Sequence, residues 1–432
     1  MACLDDLSPE LICFILDLVP PKSLEAFAST SRSIRALSHL SLQKHKCLTS
    51  RYSRIDPFTN EMRSRGVPIR ILEDVLRNPR VGQYVRHLSQ LPSVAQPPDL
   101  DGNIHERDFW CAPEQLELTN LFVAADKASK FPRVKPSEPD EFLAWLSDDI
   151  LTSILLPLLP NLLILELNDW QVDSEEFTAW IENMTQHAEG SALLFLPAVR
   201  GIRFHTEAGT GASLRLLASC SRLPSVKYLS APVTDYQLGT FSLDFDTNVT
   251  HLDLRYSAQA CLDSLGIFLS RFRDLQVFKF SFHSLFSGDC SLVAETLLTY
   301  SCTTLRHLTI PDVDIGDIVE SFPKFERLRK LVSQWSLVMR GANVRSSDSM
   351  LSTILPRSLL MLVLTNCRKG YEFEKFIDAI VDFQFTRDPV LLDVKVAFSG
   401  TVMESENFTS FWRKAATGGI SLKLKRLWRV QG

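Results

Sequence analysis

The sequence predicts an α/β repeat fold, with a helical N-terminal segment followed by an irregular array of short strands and helices. Three observations lead there. A six-residue pattern, apolar-x-x-apolar-x-apolar, recurs along most of the chain. The intervals between its copies carry apolar residues at three- and four-residue spacing, the period of a helix. The stretch Leu4 to Ser38 is densely apolar and too short to bury itself.

The 432 residues are 45% hydrophobic and 22% charged, which suits a globular chain with a sizeable core. The formal charge of −5 gives no global pull toward nucleic acid or an acidic membrane surface. Nine cysteines are scattered without a C-x-x-C pair, as expected of thiols in a reducing compartment. The first residues, Met-Ala-Cys-Leu-Asp-Asp, are acidic where a secretory signal is basic. The most apolar run, Ile154 to Leu167, is too short to span a bilayer and contains Pro157 and Pro160. The N-x-[ST] triplets at Asn183, Asn248 and Asn407 read as chance matches in such a chain. The expected location is cytoplasm or nucleus, with no membrane and no nucleic-acid partner.

The first element is a helix. Ser8-Pro9-Glu10 supplies a capping hydroxyl, a proline suited to the first turn and a carboxylate at the positive end of the dipole. Leu11, Ile12, Ile15, Leu16 and Val19 share one face, while Cys13, Phe14 and Leu18 lie on others. A helix apolar nearly all round is buried on more than one side. Pro20-Pro21 ends it. Ser23 is placed to cap a second helix from Leu24 to about Leu37, with Leu24, Phe27, Ile34 and Leu37 as its apolar stripe. Either the rest of the chain covers these helices, as a structural cap, or another protein does.

The residues Leu7-Ser8-Pro9-Glu10-Leu11, Ile15-Leu16, Pro20-Pro21, Leu24 and Ser31-Arg32-Ser33-Ile34-Arg35-Ala36-Leu37 resemble an F-box. Two positions depart from that motif: Ser8 stands for its first proline and Ile34 for its aromatic. The resemblance implies docking on the Skp adaptor of a cullin–RING ubiquitin ligase. On that basis Leu7, Pro9, Leu11, Ile15, Leu18 and Leu24 are the expected adaptor contacts, within a domain of residues 1–48.

Residues 49–140 form a linker region. "IRILEDVLRNPRVGQYVRHLSQLP" reads as helix, turn and a first strand at Val85, a passage similar to the one after the F-box in many fungal F-box proteins. From Lys22 to Arg86 there are 13 Lys or Arg against 5 Asp or Glu, which reads as a solvated helical face. From Pro92 to Pro139 the chain is polar and proline-dotted, a long loop.

Residues 141–432 hold the array. Clear copies of the pattern start at Leu162, Val199, Val226, Val249, Leu275, Leu305, Leu328, Leu359 and Leu391, with weaker ones at Val85 and Leu424. Steps from Leu162 onward run from 23 to 37 residues. "EEFTAWIENM", "AQACLDSLGIFLSRF", "CSLVAETLLTYS" and "FEKFIDAIVDF" are the intervening helices. A strand and a helix repeated in this way predict an irregular leucine-rich-repeat-like solenoid. The polar Asn or Cys expected eight residues after the first Leu is mostly missing: position 170 is Trp, 257 Ser and 313 Val, and only Cys367 fits. That turn must be closed differently. A doubly wound α/β domain is the alternative, although the chain lacks a Gly-rich strand-to-helix turn of the dinucleotide type.

Motifs of catalysis are missing from the sequence: it has no G-x-S-x-G elbow, P-loop or H-E-x-x-H. His45 and Cys47 are too few for a zinc site, and Gly209-Thr210-Gly211 reads as a plain loop. No catalytic residue, metal or cofactor is expected. In a horseshoe the alternate strand positions line the concave face. The target-binding candidates are therefore Glu166, Arg203, His205, Tyr228, His251, Asp253, Arg255, Lys279 and His307, joined by Asn168, Thr309, Met361, Asp393, Lys395 and Trp428. The expected function is a non-catalytic substrate receptor, with the Skp adaptor and cullin complex on one side and a protein target on the other. A non-ligase interaction scaffold and an α/β enzyme with an unrecognised site are the rivals. An exposed apolar patch on the first helices favours the receptor, and a deep pocket with converging titratable groups favours the enzyme.

Overall fold

The computed structural model describes residues 4, 7–55, 67–89, 120, 123–125, 127–128, 148–167, 175–190, 195–205, 211–233, 247–256, 262–282, 291–310, 322–335, 338, 351–367, 371–385, 392–399, 413 and 415–427. They form an α/β fold with twelve parallel strands. The chain divides into two compact units, residues 1–206 with 223–226, and residues 207–222 with 227–432.

The first unit opens with four helices, α1 (Pro9–Leu18), α2 (Pro21–Ala28), α3 (Arg32–Leu37) and α4 (His39–Tyr52). Ser8 caps α1, its Oγ accepting from Leu11 N at 3.4 Å. The expected second helix is two. Ser29 and Thr30 turn their hydroxyls onto the carbonyls of Ala26 and Phe27, and Ser31 accepts from Ile34 N at 3.1 Å. Hydroxyls that compete for backbone groups end one helix and start the next. The α2 start also differs: Pro21, not Ser23, opens it, without a side-chain cap. Ile12, Leu16, Leu24 and Ile34 form the helical core, with Leu7, Val19, Phe27, Leu37 and Leu42 packed around it.

Next come β1 (Arg54–Ile55), α5 (Val67–Arg77), β2 (His87–Leu88), α6 (Asp148–Leu155), β3 (Ile164–Leu167), α7 (Glu175–Gly190) and β4 (Gly201–Phe204). The helices are tied to this region by polar contacts. Arg80 donates to the carbonyls of Leu16, Asp17 and Val19 at the end of α1, where a cation suits the helix dipole. Tyr52 Oη donates to Asp74 Oδ2 at 2.6 Å, and burial followed by that bond pushes its phenol up to about 12. His45 Nδ1 lies 3.0 Å from Tyr84 Oη. Gly82 is required: a Cβ there would collide with the Leu158 carbonyl.

The second unit contains α8 (Leu214–Ser221), β5 (Tyr228–Val233), β6 (His251–Tyr256), α9 (Leu262–Leu269), β7 (Val277–Phe282) and α10 (Ser291–Ser301). It continues with β8 (His307–Ile310), β9 (Lys330–Gln334), α11 (Leu351–Ile354), β10 (Met361–Cys367), α12 (Tyr371–Phe385), β11 (Leu392–Ser399) and β12 (Ile420–Leu427). The four helices expected between strands are α7, α9, α10 and α12.

Within each unit the strands pair in parallel with their sequence neighbours, and one register runs through. In the first, Arg54 is level with His87, His87 with Ile164, and Ile164 with Gly201. In the second, Tyr228, His251, Val277, His307, Lys330, Met361, Asp393 and Ser421 are level in turn. Each of these residues stands two places after the start of its pattern copy, so the copies at Val85 and from Leu162 to Leu391 share one frame. The copy expected at Leu424 does not. Leu424 is level with Val396, and the copy in frame starts at Gly419, a glycine with φ +71 where the pattern wants an apolar side chain. Strand β1 also falls in frame, with Tyr52 and Ile55 buried at the apolar positions.

Prolines and hydroxyls set this frame. Leu159-Pro160-Asn161-Leu162, Leu196-Pro197-Ala198-Val199 and Leu223-Pro224-Ser225-Val226 are turns, each closed by the last N–H donating to the first carbonyl at 3.2 Å. Proline suits the second turn position. In the absence of the usual Asn, the residue just before a copy closes the step. Asn161 Nδ2 donates to Gln83 O at 2.9 Å, Thr304 Oγ1 to Leu275 O at 2.9 Å and Ser358 Oγ to Leu328 O at 2.9 Å. Ser225 Oγ donates to Pro197 O in the same way. Between the copies large side chains are buried, among them Trp180 with Phe195 and Phe268 with Phe272, whose rings lie 5.3 Å and 4.8 Å apart.

Candidate functional site

Three surfaces gather the residues singled out by sequence. The first is on α1. With Ile12 and Leu16 turned into the core, Leu11, Phe14 and Leu18 remain 51%, 62% and 67% exposed. Their spacing of three and four residues puts them on one helix face. Pro9 is exposed beside them, and Leu7 and Ile15 are half-buried. Leu40 on α4 is 76% exposed. Such a stripe of large apolar groups is a candidate association surface. Leu24, expected on the same surface, is placed differently. It is 0% exposed, because Pro20-Pro21 turns α2 back so that Leu24 completes the core with Ile12, Leu16 and Ile34. Phe14 and Leu40 were missed; the Leu11-Phe14-Leu18 spacing was the available signal for the former.

The second surface lies on β2 to β4. Glu166 is 7% exposed. Ser89 Oγ donates to it, Arg203 reaches it at 3.1 Å, and His87 Nε2 and His205 Nε2 stand 3.3 Å and 3.8 Å away. Burial acts to raise the Glu166 pKa. The Ser89 bond, both imidazoles and the Arg203 bond outweigh it and hold the carboxyl below its ordinary value. Glu166, Arg203 and His205 therefore do come together, around two residues not chosen from sequence. His87 and Ser89 occupy the alternate positions of the weak copy at Val85, which was the signal for them.

The third surface is on the strands of the second unit. Tyr228 and His251 are half-buried, Arg255, Lys279 and His307 are exposed, and Lys279 pairs with Asp253 at 3.3 Å. Further along, Lys395 and Lys423 both lie 3.6 Å from Asp393. Thr309 and Met361 are half-buried on the same face. Burial first, then Lys279, pushes the His251 pKa down; burial followed by Lys330, His251, Arg306 and Arg329 does the same to His307. Asn168 and Trp428 lie outside the described residues, as does most of the segment from 92 to 140; its described residues, 120, 123–125 and 127–128, are helical where a loop was expected.

Among the described residues no His, Cys, Asp or Glu side chains gather as a metal site, and no helix is long and apolar enough to cross a membrane. Cys220 and Cys367 are buried, which raises both thiols and keeps them protonated. Comparison with protein-family models and with curated proteins finds no match for the chain.

Proposed function

We propose that the protein is the substrate-recognition subunit of a Skp–cullin–F-box ubiquitin ligase. In this reading the N-terminal helices are an F-box, the strand-helix array is a degenerate leucine-rich-repeat solenoid, and transfer chemistry belongs to other subunits. The observation that carries it is the exposed stripe Leu11, Phe14 and Leu18 on a helix that already has a complete core behind it. Covering each of these side chains is worth about 1.5–3 kcal/mol. Together they supply enough to offset an association cost of roughly 4–15 kcal/mol only with help from neighbours such as Pro9, Ile15 and Leu40. Arg80 holds the last turn of α1, so the stripe is presented by an ordered helix.

The alternate strand positions take the protein target. The test is co-purification of the full chain with a Skp adaptor, beside a Leu11→Asp, Leu18→Asp variant. These two residues are exposed, so the variant keeps its core. Capture by the wild type and its loss in the folded variant is the expected result. A wild type that captures no adaptor overturns the reading.

A further inference from the structure

The strands of the second unit carry more positive charge than a chain of net −5 leads one to expect. From β6 to β12 the same face presents the cations Arg255, Lys279, Lys330, Lys395 and Lys423, with His251 and His307 among them. The register sorts them. His251, His307 and Lys330 share one row, and Lys279, Lys395 and Lys423 share the next. Acidic groups on these strands are fewer. Asp253 answers Lys279, and Asp393 is shared between Lys395 and Lys423. Lys330, in the middle, faces His307, and exposed Arg306 and Arg329 stand at the starts of their two strands. The two histidines add no charge near neutral pH, because burial first and the neighbouring cations after it hold both imidazoles below their ordinary value.

We infer that this face binds an extended acidic segment of a partner protein, its Asp and Glu carboxylates crossing the strands from β6 to β12. The inference rests on the reading that the sheet face takes a protein target, and names that target's chemistry. Charge complementarity selects the occupant: among the described side chains of this face, five cations, Arg255, Lys279, Lys330, Lys395 and Lys423, stand against two carboxylates, Asp253 and Asp393, and an acidic segment brings the balance. Geometry sets its length. Six strand spacings of about 4.8 Å make about 29 Å, which about nine extended residues span.

The test is fluorescence anisotropy on the full chain with a labelled peptide of alternating Glu and Gly, about nine residues long. Its Gln counterpart and an oligouridylate of equal length serve as comparisons. The acidic peptide is expected to bind at least about tenfold more tightly than the Gln peptide. Raising salt from about 0.05 M to about 0.5 M should weaken it by at least about tenfold. Lys330→Glu should cost about tenfold or more, and the separate Lys423→Glu variant, on a more exposed side chain, should weaken binding with unchanged circular dichroism. Equal binding of the Glu and Gln peptides overturns the inference, as does preference for the oligouridylate or charge reversals without effect. Adaptor capture by the same preparation is read separately. Peptide binding without adaptor capture sinks the ligase reading and supports this one; capture without peptide binding does the reverse.

Discussion

At the residue scale, exposure separates two kinds of leucine that look alike in sequence. Leu24 and Leu11 both fit the F-box pattern, yet one completes the helical core and the other faces solvent. Leu24→Ala should therefore cost about 2–5 kcal/mol, while Phe14→Ala should stay within about 0.5 kcal/mol, measured by urea unfolding. The reverse order would mean that the helix faces are assigned wrongly. Glu166 offers a test by pH. Its folded pKa is held below the unfolded carboxylate value, so its stabilisation is full above about pH 4.3 and is lost as pH falls through the folded pKa. Glu166→Gln should lower stability near neutral pH by about 1–3 kcal/mol and flatten the acid dependence in that window. An unchanged acid profile would show that the carboxylate is not held by Ser89, Arg203 and the two histidines.

At the element scale, the repeat was legible because its strands obey one frame of buried positions, and a period of two within a strand tolerates few alternatives. The frame failed at Gly419, where backbone conformation replaced the apolar residue, and it hid β1, whose copy begins with Tyr52. The split of α2 from α3 was hidden as well. Apolar spacing runs on through Ser29 to Ser31, and only the competing hydroxyl bonds show the break. How the turn is closed without Asn was also beyond the pattern, because at Asn161, Ser225, Thr304 and Ser358 the bonding residue sits just before the copy instead of after it. Arg80 is the element-scale link with most consequence. It lies in the turn after α5 and binds carbonyls of α1 more than sixty residues earlier. Arg80→Ala should remove about 1.5–3 kcal/mol and speed hydrogen exchange in the last turn of α1. Arg80→Lys should restore little, since the guanidinium fork reaches several carbonyls at once. Exchange in α1 that ignores Arg80 would release the helix from this tie.

At the scale of the whole molecule, the α/β class and the alternation of strands with helices were readable from periodicity alone. The pairing of Glu166 with His87 and Ser89 was not, because it joins strands about eighty residues apart through a copy too weak to rank with the others. The two surfaces answer to different physics. On the proposed reading the apolar helical stripe binds by burial and the basic strand face by charge. High salt should thus weaken the target interaction and leave the adaptor interaction in place. The most direct measurement is adaptor capture by the full chain beside the Leu11→Asp, Leu18→Asp variant. A stoichiometric complex formed by the wild type and lost in the folded variant is the predicted result. A wild type that never binds an adaptor would contradict the central claim and leave the stripe as a surface for some other partner.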